Sequence, residues 1–194
     1  MSLAIGVDPG NSGAIALVCS ERGLLQIAAL PLRTLTPVNR GKAKLKRRVD
    51  ERALRSIVRA WSLQRNFAGE TRIVAAVERM FSGGVDDVVP PGVRQAMGLS
   101  QGLVMGVLAA FTHETHTPTP QQWKRTYGLG KDKTQSEPMA RRFVRGCPVV
   151  LGHDKAEAIL LAHWALGALQ LHVSEDDDED SGDWPFPSNG RRTA

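Results

Sequence analysis

The sequence predicts an α/β fold with a mixed five-stranded sheet flanked by helices, and three observations carry that prediction. Two apolar runs of strand length lie within Leu3 to Val18, on either side of a tight turn holding Pro9, Gly10 and Gly13. A third, Leu24 to Leu32, follows closely enough to complete an antiparallel meander. A helical period then separates the meander from a fourth run, Arg72 to Val77, so a crossover connection can lay this run parallel to the first and beside it.

In chain order, the crossover helix is read over Asp50 to Arg65, where Ala53, Leu54, Ile57, Val58 and Trp61 recur at the spacing of one helical face. Trp61 is assigned to the core. Met80 to Gly92, with three glycines and two prolines, is a loop just past the fourth strand. Val93 to Phe111 is a helix rich in small residues (Ala96, Gly98, Gly102, Gly106). Interior glycine costs a helix up to about 1 kcal/mol, so close approach of the chain's own sheet or of a second subunit is expected as compensation. His113 to Thr117 is a short edge or parallel strand. Thr119-Pro120 is a helix cap leading through Trp123 to Gly128, and Pro138 makes another helix start near Ser136 or kinks it. The last helix opens at His153 and runs through Leu166. Residues 1–173 are therefore read as one domain. Residues 174–194, acidic and then rich in Gly, Pro and Ser, are expected to be a disordered tail.

Charge follows the same division. Of 25 basic and 20 acidic residues, two bases and seven acids lie beyond Val173, so the body holds 23 bases against 13 acids. A body that basic points to a polyanionic partner such as nucleic acid. Its cations form two groups. Arg33, Arg40, Lys42, Lys44, Lys46, Arg47 and Arg48 occur without an intervening acid and read as a poorly ordered phosphate-binding stretch, or simply as a solvated loop. Lys124, Lys131, Lys133 and Arg141 are interleaved with Trp123, Tyr127 and Phe143, as either a nucleic-acid surface or a solvated amphipathic helix pair. No apolar run is long enough to span a membrane, and no secretory leader is seen. Two cysteines, Cys19 and Cys147, make neither a disulfide framework nor a metal motif, which fits an intracellular setting.

Four acids stand out by position. Asp8 ends the first strand and Glu78 the fourth, so a parallel pairing of the two sets the carboxylates side by side. Asp154 and Glu157, three apart, project from one face of the last helix's first turn, where the macrodipole also favours acids. If the helix packs on the sheet, all four converge. Their mutual repulsion then calls for something cationic: Lys or Arg could neutralise them, but oxygen-only donors suit Mg²⁺, with Mn²⁺ able to substitute. Two such ions about 3.5–4 Å apart make a clamp for in-line displacement at phosphorus, and with basic surroundings the chemistry is phosphodiester hydrolysis.

Asp8 in GVDPGNSGAIAL, Glu78 in VAAVERM, and Asp154 with Glu157 in HDKAEAILLAHWAL resemble the ordered motifs of the RuvC group of Holliday-junction resolvases, within the ribonuclease H-like superfamily. The resemblance runs from about Ala4 to Gly167. Thr119 to Lys124, followed by Lys131 and Lys133, is similar to the phage and organelle branches of that group. It implies a ribonuclease H-like sheet and a homodimer that makes paired nicks across a four-way DNA junction. It also implies that Asp8, Glu78, Asp154 and Glu157 are the metal-binding catalytic acids. Lys131 or Lys133 is then expected near the scissile phosphate, and the helix Val93 to Phe111 at the dimer contact. The sequence departs from the bacterial pattern at Glu157, where that pattern has Asp, and in the length of its basic stretch before Glu78. Three rival readings have their own marks. An actin-like ATPase shares the Gly-rich turn after Asp8 but needs a duplicated domain, and 194 residues without an internal repeat leave no room for one. A non-catalytic junction-binding module would tolerate loss of the acids. A ribonuclease H differs in acting on RNA-DNA hybrid.

Overall fold

A computed structural model describes residues 1–10, 12–35, 46–63, 72–80, 90–130 and 132–175. Three strands, β1 (Ser2–Asp8), β2 (Ala14–Cys19) and β3 (Gly23–Ala29), form the expected antiparallel meander. The next two, β4 (Leu32–Leu35) and β5 (Lys46–Val49), pair with each other in a small separate sheet. Helix α1 (Glu51–Ser62) crosses over to β6 (Arg72–Val77), which lies parallel to β1, and helix α2 (Pro91–Ala109) leads to β7 (Glu114–His116), parallel to β6. The main sheet therefore has the order β3-β2-β1-β6-β7. Helices α3 (Pro120–Thr126), α4 (Ser136–Phe143) and α5 (His153–Glu175) complete the chain. Pro138 sits in the first turn of α4, where it removes no helical hydrogen bond. Among the described residues no helix is long and apolar enough to cross a membrane. Because α5 runs on to Glu175, the expected tail begins in helix, and residues 176–194 lie outside the described residues.

Strand alternation divides the core into two layers. Ala4, Ala14, Ala16, Val18, Val74 and Ala76 face one way and pack with Trp123, Tyr127, Ala140 and the α5 residues Ala158, Ile159, Leu161, Ala162 and Ala165. Leu3, Ile5, Val7, Ile15, Leu17, Ala75 and Val77 face the other way, against Leu54, Val58 and Trp61 of α1 and Val104 and Leu108 of α2. Gly6 lies on the first layer, and a Cβ there would overlap the backbone of Ala158 and Ala162. The backbones of β1 and α5 thus meet directly, which only glycine allows.

Two expectations are corrected. The stretch from Arg33 to Arg48 is not unstructured at its ends: Arg33 and Arg48 lie opposite each other in the β4–β5 pair. Like charges so placed repel, and Glu51 offsets this by forming an ion pair with each, at 3.1 Å from Arg33 and 3.7 Å from Arg48. Close approach of the chain's own sheet to the glycines of α2 is also not found. Added side-chain carbons at Gly98, Gly102 and Gly106 would meet open space, and Val93 and Leu99 are about half exposed.

Candidate active site

Strand parity sets the position of the first two acids. Asp8 follows Ala4 and Gly6 on the α5-facing side of β1, and Glu78 follows Val74 and Ala76 on the same side of β6. Val7 pairs with Val77, and the Glu78 amide donates to the Val7 carbonyl at 3.0 Å, so the two carboxylates emerge at neighbouring carboxyl ends. The turn after Asp8 is closed by the carboxylate itself, whose Oδ1 accepts from the Gly10 amide at 3.0 Å. Neither Gly10 nor Gly13 adopts a left-handed backbone. Gly13 is required for space: a Cβ there would fall on the Asp8 carbonyl.

Helix α5 brings the second pair. Glu157 is 4% exposed, and its Oε1 receives Lys124 Nζ at 2.9 Å and the Ser136 hydroxyl at 3.3 Å. Asp154, at the rim, has its Oδ1 3.2 Å from His153 Nε2. Helix α3 supplies two partners from consecutive residues: Lys124 to Glu157, and Trp123, whose indole Nε1 donates to Glu78 Oε1 at 3.0 Å. A capping box between Thr119 and Gln122 starts this helix, and the Tyr127 hydroxyl at its end donates to the Leu160 carbonyl of α5 at 3.0 Å.

Electrostatics register the convergence. The Glu78 carboxyl is pushed up to about 6, first by burial and further by the charges of Asp8 and Glu157. The Trp123 hydrogen bond and the Lys124 ammonium oppose that rise. Among the described residues no group of three or more His, Cys, Asp or Glu side chains is arranged to hold a metal ion. The donor chemistry nonetheless suits a hard divalent cation, because the acids offer only oxygen and share a partly buried space. The Lys124 ammonium already supplies one positive charge to Glu157 in that space.

The expected nucleic-acid contacts are distributed differently. Arg47 is exposed on β5, and Arg48 is held by Glu51. Arg141 pairs with Glu137 at 3.3 Å and donates to the carbonyls of Pro148 and Val149, bracing the loop before α5. Lys124 is turned inward to Glu157. Lys46 and Lys133 lie in described backbone but their side chains do not, and Arg40, Lys42, Lys44 and Lys131 lie outside the described residues. The roles of Trp123 and Ser136 were not read from the sequence. Only the adjacency of Trp123 to a candidate lysine marked the former, and nothing marked the latter.

No protein-family model matches the chain, and no curated protein matches it in sequence. Solved structures do. Over 89% of this chain and 96% of the other, the fold superposes on Thermus thermophilus RuvC in complex with a Holliday junction substrate, with a TM-score of 0.53 and 16% identity. A second Thermus thermophilus RuvC structure matches over the same shares with a TM-score of 0.44 and 18% identity. The mixed five-stranded sheet flanked by helices is thus the fold of the junction-bound RuvC structure.

Proposed function

We propose that this protein is a structure-selective DNA endonuclease that resolves four-way Holliday junctions by metal-dependent phosphodiester hydrolysis. The observation that carries the reading is the side-by-side delivery of Asp8 and Glu78 to the α5 face, within electrostatic reach of Glu157. The likeness in fold to a junction-bound RuvC supports the choice of branched DNA. Asp8, Glu78, Asp154 and Glu157 would hold two Mg²⁺ ions, or Mn²⁺ in their place. Such ions, when bound, lower the pKa of water and stabilise the leaving oxygen of an in-line displacement.

The chain's own residues do the rest. Asp8 is held by the Gly10 amide and Glu78 by the Trp123 indole, so both present a defined oxygen to the site. Lys124 supplies a counter-charge to the buried Glu157 at 2.9 Å. Exposed Arg47, together with Arg40, Lys42, Lys44, Lys131 and Lys133, is proposed to bind DNA phosphates. The half-exposed apolar residues of α2 support a homodimer, in which each protomer nicks one strand.

The test is cleavage of end-labelled four-way junction, plain duplex and RNA-DNA hybrid, with Mg²⁺ or EDTA, by wild type and Asp8→Asn. Paired nicks confined to the junction, lost with EDTA and with Asp8→Asn, are expected. Cleavage of hybrid would move the protein to ribonuclease H chemistry, and binding without cleavage would make it a junction-binding module.

A further inference from the structure

We propose that Trp123 is a positioning residue for Glu78, acting through its indole N–H on the orientation of that carboxylate toward a divalent cation; this rests on the nuclease reading above. The ring is fully buried, yet its single polar atom is spent on the acid at the end of β6, 45 residues earlier in the chain. An indole N–H donates and never accepts, so it neither holds a cation nor moves a proton here. What it does is hold Oε1, and with it the rotamer of the carboxylate.

Surrounding contacts make the donor rigid. The backbone is tied at the same place as the side chain, because the Arg79 amide donates to the Pro118 carbonyl at 2.9 Å, one residue past Glu78 and one before the cap of α3. The Trp123 ring meets Tyr127 edge-on at 6.4 Å between centroids, and Tyr127 is itself anchored to α5. The Lys124 ammonium lies 5.1 Å from the indole centroid while it holds Glu157. A seven-residue helix therefore spans the site and addresses two acids through neighbouring side chains. Glu78 without this donor keeps its backbone position but gains rotamers, and partners of metal ligands typically matter by about 10- to 100-fold.

The test pairs a spectroscopic arm with a kinetic one on the full chain. In ¹⁵N-labelled protein, the Trp123 indole resonance should shift in Glu78→Ala, and substoichiometric Mn²⁺ should broaden it before that of Trp61. Trp123→Phe keeps an aromatic ring and deletes the donor. With saturating junction it should cut turnover by about 10- to 100-fold and raise the Mg²⁺ midpoint, with junction affinity unchanged. If Trp123→Phe does not fold, 3-benzothienylalanine at position 123, which preserves shape without the N–H, decides the matter by the same measurements. Wild-type turnover and Mg²⁺ midpoint in the donor-free protein would overturn the proposal and leave Trp123 as core packing. If wild type cleaves no nucleic acid, the nuclease reading falls. The positioning claim is then judged by the resonance alone: insensitivity to both Glu78→Ala and Mn²⁺ overturns it.

Discussion

The two faces of the central sheet are built from the same strands and do different work. On the α1/α2 face β1 presents Leu3, Ile5 and Val7; on the α5 face it presents Ala4, Gly6 and Asp8. Large side chains keep a helix at ordinary distance and fill the gap, which makes a core and nothing more. Small ones let α5 come to backbone contact, so the carboxylates at the ends of β1 and β6 lie within electrostatic reach of Glu157. The difference teaches that residue size along a strand, as much as the acid at its end, decides which face becomes a site.

The comparison is broken most severely by removing charge from the small-residue face. Asp8→Asn is expected to lower junction cleavage by about a thousandfold or more while leaving junction affinity intact, read by single-turnover kinetics and gel shift. Filling the contact comes next. Gly6→Ala should cost about 3 kcal/mol in denaturant unfolding, because the colliding atoms are backbone and have nowhere to go. The same strand's other face sharpens the contrast, since Ile5→Val should cost only about 1 kcal/mol.

Between these lies an effect of opposite sign. The carboxyl of Glu78 titrates near 6 in the folded protein, above its ordinary 4.5, so folding favours its protonated form. Its ionisation therefore weakens the fold above pH 6 by about 2 kcal/mol, and the penalty disappears as pH falls toward 4.5. Glu78→Gln should accordingly be more stable than wild type at pH 7.5 in the absence of divalent ions, with the gap closing near pH 4.5, as thermal melts across that range will show.

Much of this geometry was legible in the sequence, for a physical reason. The period of two along Leu3 to Asp8 and Arg72 to Glu78, with a helical crossover between them, constrains both pairing and facing, so the adjacency of Asp8 and Glu78 followed. Contacts between side chains distant in sequence had no such period to reveal them. Trp123 reads as an aromatic in a basic cluster, and Lys124 as one more phosphate-binding cation. Only packing turns both toward the acids. The β4–β5 pair was missed because its cations argue against a strand until Glu51, placed by the N-cap of α1 at Asp50, neutralises two of them.

The direct contact of Gly6 with Ala158 and Ala162 also has a bearing on how the chain matures. It joins segments some 150 residues apart, so one wall of the candidate site is translated well before the other. Contacts of such long sequence separation are slow to form, and domains emerge from the ribosome at about 5–20 residues per second. A nascent chain halted before His153 has its meander and crossover but an uncovered alanine face and half a set of acids. The candidate site is therefore complete only once α5 has been translated and has docked on the sheet.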